Sequence, residues 1–172
     1  KAVNFGILYG QGPHGLAEAT GLSYGEAKDF IDQYFTVYPK ISLYIENLIE
    51  QAKEKGYATT VWGRRRHLPD LENLNPSLRR AAERMAVNLP IQGTAADIMK
   101  AAMIKVNTWL NQQFSNDEAR MILQIHDEII IESKTDVVEK IKDKVPQLMT
   151  EVIDLTVPLV VSNDDGENWA EL

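Results

Sequence analysis

Apolar residues recur at helical spacing through most of this chain, and the exceptions fall into a few short stretches. Residues 1–10 read as the end of a helix that stops at Gly10-Gln11-Gly12-Pro13, a run of strong breakers. A short helix over 16–20 is closed by Gly21. Ser23 followed by Glu26 has capping-box spacing and starts a helix that runs to about Tyr38, before Pro39. The next helix, 41–55, repeats Ile41, Tyr44 or Ile45, Leu48, Ile49 and Ala52 and ends at Gly56. Residues 57–62 are β-prone, and Gly63 turns the chain into a loop, Arg64-Arg65-Arg66-His67. Pro76-Ser77 opens a helix with the apolar stripe Leu78, Ala82, Met85 and Leu89. Pro90 interrupts it. Thr94 with Asp97 then predicts a second capping box and a helix over 95–112, turning Ile98, Met99, Ala102, Val106, Trp109 and Leu110 inward.

The period changes at Met121-Ile-Leu-Gln-Ile-His-Asp-Glu-Ile-Ile-Ile-Glu132. Residues 121–125 and 129–131 are too short for average helices and rich in β-branched residues, so each predicts a largely buried strand. The polar break His126-Asp127-Glu128 falls where the chain must reverse, which makes the pair a hairpin. An amphipathic helix over 135–152 follows, broken or divided at Pro146. Residues 157–161 predict one more strand, near an edge because of Pro158, before a polar tail containing Gly166-Glu167-Asn168-Trp169. The fold class expected is α+β, predominantly helical, with an antiparallel β-hairpin carrying an acidic turn.

A chain of 172 residues with 44% hydrophobic and 25% charged residues can bury a real core. No apolar run approaches the roughly 20 residues needed to cross a bilayer, so no membrane partner is expected. Without cysteine there is neither a disulfide framework nor a thiolate metal site, and three scattered histidines make zinc improbable. The net charge of −7 argues against nucleic acid until its distribution is considered. Positive charge gathers at Arg64, Arg65 and Arg66 and at Arg79, Arg80 and Arg84. The first residue, Lys1, stands inside a periodic segment, as in a piece of something longer.

Three features carry candidate chemistry, and the residues alone leave two readings of each. On the first helix Lys1, Phe5 and Tyr9 share a face: either a core-facing aromatic stripe, or a cation for phosphate beside rings that stack on base or sugar. The arginine run and the row Arg80, Arg84, Asn88 and Gln92 are either solvated faces or donors to a phosphodiester backbone and the minor groove. The carboxylates of Asp127 and Glu128 are either an ordinary turn or oxygen ligands for a hard cation such as Mg²⁺.

Their order resembles that of family A DNA polymerases, the bacterial DNA polymerase I type. The resemblance rests on Lys1-Ala-Val-Asn-Phe-Gly-Ile-Leu-Tyr-Gly10, on Asn88, Gln92 and Gly93-Thr-Ala-Ala-Asp97, on His126-Asp127-Glu128, and on Gly166-Glu-Asn-Trp169. It implies a fingers subdomain over 1–75 and part of a palm over 76–172. Lys1 would contact the triphosphate of an incoming dNTP and help release pyrophosphate, Phe5 would border the sugar, and Tyr9 would stack near the templating base. Arg80, Arg84, Asn88 and Gln92, with Arg64 and Arg65, would contact primer-template DNA, and His126 the primer end. Asp127, assisted by Glu128, would bind two catalytic Mg²⁺ ions. The resemblance further implies an N-terminal remainder holding the first catalytic motif, inactivity of the chain without it, and, if bacterial, a cytoplasmic, nucleoid-associated place of work. The rival expectations are a non-catalytic nucleic-acid-binding module and a fragment of a single-subunit RNA polymerase.

Overall fold

The computed structural model describes residues 2–171; Lys1 and Leu172 lie outside the described residues. The chain divides into two compact units, Lys1–Thr94 and Ala95–Leu172. The expected class is observed: helices predominate, and the strands form two small antiparallel sheets.

In the first unit, α1 (Ala2–Leu8), α2 (Pro13–Thr20), α3 (Tyr24–Val37) and α4 (Pro39–Lys55) follow one another at breaker residues. Gly21 and Gly56 close α2 and α4 with φ of 76° and 75°, a conformation that carries no Cβ penalty only in glycine. Ser23 and Glu26 form the expected capping box, with Ser23 N–H donating to Glu26 Oε2 at 2.9 Å. That contact, with the Ser23 hydroxyl first in importance, holds the Glu26 carboxyl below its ordinary range. Ile7, Leu16 and Ala27 form one small core. A second core, Ala52, Ala58, Leu68, Leu71, Ala82 and Ala86, joins α4 to α5 (Pro76–Asn88) and to the hairpin β1 (Tyr57–Thr59) and β2 (Arg65–His67).

Three expectations for this unit need correction. Arg65, Arg66 and His67 form a strand rather than a loop, because Thr59 pairs with Arg65, Ala58 with Arg66 and Tyr57 with His67, and Arg64 alone of the run stays in the connecting loop. Of the expected α5 stripe, Ala82 is buried and Met85 and Leu89 pack against the same core, while Leu78 is exposed and Ala86 and Val87 are buried in addition, because small residues allow α4 and the hairpin to approach closely. The helix expected over 95–112 is present, but Thr94 is not its N-cap. The chain passes from α5 through a π-turn, Leu89–Gly93, into α6 (Thr94–Gln113), and Thr94 itself has helical φ and ψ of −66° and −41°. The wider turn accommodates Pro90, which lacks an N–H and would crowd the carbonyl four residues back. The Thr94 hydroxyl therefore donates back to Pro90 O instead of capping.

In the second unit, α6 and α7 (Val138–Thr150) cover one face of the hairpin β3 (Ala119–Ile125) and β4 (Glu128–Ser133). Met99, Ala102, Val106 and Leu110 meet Ala119, Ile141, Val145, Leu148 and Met149, with Met121, Ile129 and Ile131 packed against them. The strands are buried on that face alone: Ile122 and Leu123 are 52% and 41% exposed, against the expectation of largely buried strands. Ile122 is the extra residue of a bulge, since Met121 pairs with Ile131 and Leu123 with Ile130.

The expected break at Pro146 does not occur. Pro146 cannot donate to Lys142 O, and Asn163 Nδ2 supplies the missing donor at 2.8 Å. Lys142 also bonds Asp165, the main reason its ammonium titrates above the usual range. Residues 157–161 form no strand; Val157 and Val160 stand in solvent and the segment has no ladder partner among the described residues.

Candidate functional site

α1 turns Val3 and Ile7 toward the core and leaves its opposite side open. Phe5 is 45% exposed, and its ring stacks on that of Tyr9 with centroids 6.0 Å apart and planes 9° from parallel. The aromatic stripe is therefore not core packing. Two near-parallel rings at spacing four present a flat apolar edge of the kind that stacks on a sugar or base. The helix ends at Gly10, with φ of 79°. A Cβ there would lie 3.1 Å from Arg84 Cγ, so the stem of Arg84 rests on the end of α1.

On α5, Arg80 and Arg84 are exposed as the spacing predicts, and Gln92 is exposed on the π-turn. The π-turn inserts an extra residue into the helical repeat, which displaces Gln92 from a straight row with Arg84 and Asn88. Asn88 is half-buried, and its Oδ1 is buried without a hydrogen-bond partner among the described residues. An unmet buried acceptor costs about 1–3 kcal/mol, so a donor arriving with a ligand is favoured there.

The β1–β2 hairpin is fixed to the π-turn through its loop. Val61 N–H donates to Thr94 Oγ1 at 3.0 Å, and Thr60 and Thr94 are both buried. Gly93 permits the approach, since a Cβ there would come within 2.7 Å of Thr60 Cγ2. Anchored this way, β2 lays its arginines along the surface of the first unit. Arg65 stacks over Tyr57 at 4.8 Å, and Arg66 Nη2 donates to Met85 Sδ at 3.0 Å. Phe5, Tyr9, Arg64, Arg65, Arg80, Arg84, Asn88 and Gln92 thus all belong to one compact unit. Thr60 escaped the sequence reading, and Thr94 was read there as a helix cap rather than as the anchor of the basic hairpin; the signal available was Gly93, whose missing side chain marks a close approach.

His126, Asp127 and Glu128 belong to the other unit. Ile125 pairs with Glu128, which leaves a two-residue turn, His126-Asp127. His126 takes a left-handed φ of 50°, held by Gln124 Nε2 donating to its carbonyl at 2.6 Å. All three side chains are exposed. Six paired positions, an Arg120–Glu132 ion pair and the α6–α7 core stiffen the strands behind them. The adjacent carboxylates offer hard oxygen donors suited to Mg²⁺. Among the described residues no cluster of three or more His, Asp or Glu side chains that could hold a metal ion forms, at this turn or elsewhere. No helix among the described residues is long and apolar enough to cross a membrane.

Comparison with known proteins gives a consistent picture. The sequence profile of DNA polymerase family A matches residues 1–171. The chain is 46% identical over 171 residues to DNA polymerase I of Pseudomonas aeruginosa, a match covering 99% of the chain and 18% of that protein. It is 44% identical over 169 residues to the thermostable DNA polymerase I of Thermus aquaticus, covering 98% of the chain and 20% of the relative. Among solved structures it is similar to the POL domain of Pol1 from M. smegmatis in complex with DNA primer-template and dNTP. That match has a TM-score of 0.87 and 40% identity, and covers 94% of this chain and 28% of the other. The chain spans about a fifth of the length of the curated relatives it matches.

Proposed function

Because the chain belongs to DNA polymerase family A, we propose that it forms part of an enzyme that adds deoxynucleotides to a primer 3′ end, joining the primer oxygen to the α-phosphorus of a dNTP and releasing pyrophosphate. Residues 1–75 serve as fingers and 76–172 as part of the palm. Phe5 and Tyr9 form the wall against which sugar and templating base stack, and Lys1 neutralises the triphosphate. Arg80, Arg84, Asn88 and Gln92 hold template and primer, Arg64 and Arg65 the phosphodiester backbone, and His126 the primer end.

Asp127 and Glu128 are the residues that would hold Mg²⁺, which when bound stabilises the attacking and leaving oxygens. Without further acidic ligands the two carboxylates make one wall of such a site, and the 172 residues by themselves are expected not to extend a primer. The complete protein carries the first catalytic motif in its remainder and, if bacterial, works on DNA in the cytoplasm at the nucleoid.

The observation that carries this reading is the 126–128 turn, three exposed polar side chains at the tip of a stiffened hairpin. Primer extension by the complete protein, with Asp127→Ala beside the parent, tests it. Extension with dNTPs that Asp127→Ala abolishes while DNA binding persists is the expected result. DNA binding without extension by the parent favours a non-catalytic binding module, and a preference for rNTPs favours an RNA polymerase.

A further inference from the structure

α1 ends with Gly10 N–H donating to Ile7 O at 3.0 Å and Gln11 N–H donating to Gly6 O at 2.8 Å, with Gly10 left-handed. This pairing of 5→2 and 6→1 bonds closes a helix, and the side chain just beyond it ordinarily packs on one in the last turn. Here the partner position is Gly6, which has no side chain to offer. Gln11 fills the gap. A methyl group at position 6 would overlap Gln11 Oε1, and one at position 15, on α2, would lie 2.9 Å from Gln11 Cγ. The Gln11 side chain is therefore seated between the bare backbones of two helices.

α1 needs such a brace. It has seven residues, Ile7 alone among its described residues is fully buried, and Gly6 weakens its interior. A helix this short keeps its direction through tertiary contacts. The rings of Phe5 and Tyr9 are not among the side chains packed on the Ile7 core.

We infer that Gln11 is a positioning residue, which by filling the notch between Gly6 and Gly15 sets the angle between α1 and α2 and hence the aim of the Phe5–Tyr9 stack at the incoming nucleotide. The inference rests on the nucleotide-binding role proposed above for α1. Gln11 acts through α1, and its loss should be felt in nucleotide affinity rather than in the chemical step.

Single-nucleotide incorporation by the complete polymerase tests this with Gln11→Ala, Gln11→Met, Gly6→Ala and the Gly6→Ala/Gln11→Ala double variant. Gln11→Ala should raise the KM for dNTP roughly tenfold, with kcat and DNA affinity held within about twofold. Gln11→Met, of equal length, should restore most of the affinity. Gly6→Ala should raise KM at least as far, because its methyl expels the Gln11 side chain, and the double variant should be no worse than Gly6→Ala alone. An unchanged KM in Gln11→Ala, equal losses in Ala and Met variants, or additive effects at positions 6 and 11 would overturn the inference. Should Gly6→Ala not fold, the Ala and Met variants decide. A parent protein that incorporates no nucleotide overturns the functional reading instead.

Discussion

The chain contains two β-hairpins that are held in opposite ways. The β1–β2 hairpin has three paired positions and is fastened at its loop, where Val61 donates to the buried Thr94 and Gly93 admits Thr60. What it offers to solvent is strand β2, a row of cations. The β3–β4 hairpin has six paired positions and is fastened along its strands by α6 and α7. What it offers is its turn, an acidic tip. The place of anchorage thus decides which part of a hairpin is free to meet a ligand. A cationic strand suits an extended polyanion, and a rigid acidic tip suits a small hard cation.

Substitutions that separate tip from strand sharpen this contrast. The largest effect is expected at Asp127→Ala in the complete enzyme, about a 10³-fold fall in kcat, corresponding to roughly 4 kcal/mol of transition-state stabilisation. Melting temperature should hardly change, because the side chain is exposed; incorporation kinetics beside a thermal melt check both. At the other hairpin the vulnerable group is its fastening. Thr94→Val leaves Val61 N–H unpaired and should cost about 1–3 kcal/mol in chemical denaturation, with kcat reduced far less than by Asp127→Ala.

A smaller effect is expected from the cationic strand and the loop residue before it. Replacing both Arg64 and Arg65 by Ala should leave kcat nearly intact and lower the slope of log affinity for duplex DNA against log salt by up to about 1.8, on the order of 0.9 for each phosphate no longer neutralised. Measured binding over a salt series reads this directly, and an unchanged slope would detach the arginines from the DNA.

The smallest effect concerns the Ser-x-x-Glu boxes that brace each unit, Ser23 with Glu26 and Ser115 with Glu118. The serine hydroxyl at Glu26 and the serine backbone N–H at Glu118 are the main causes that hold these carboxyls below their ordinary value of 4.5. A depressed folded pKa means a contribution present above that ordinary value and lost as pH falls through the lowered one. Glu26→Gln and Glu118→Gln should each flatten the acid side of the melting-temperature profile slightly.

The sequence by itself determined the helices, the two glycine caps, the first capping box, the hairpin around His126-Asp127 and the identities of the residues proposed to act. Those features depend on neighbours a few positions apart, where backbone bonding and side-chain propensity act directly. It misjudged the π-turn at Leu89–Gly93, the continuity of α7 through Pro146, the pairing of Arg65 and Arg66 as a strand, and the ladder expected over 157–161. The π-turn follows from Pro90 itself, and the others were decided by contacts made, or not made, across the fold. Thr94 found Val61, Lys142 O found Asn163, and Arg65 found Thr59, while residues 157–161 found no strand to join. The outward turn of Phe5 and Tyr9 was likewise settled only when Ile7 met Leu16 and Ala27, because a helix of seven residues has two faces and only packing chooses which is buried.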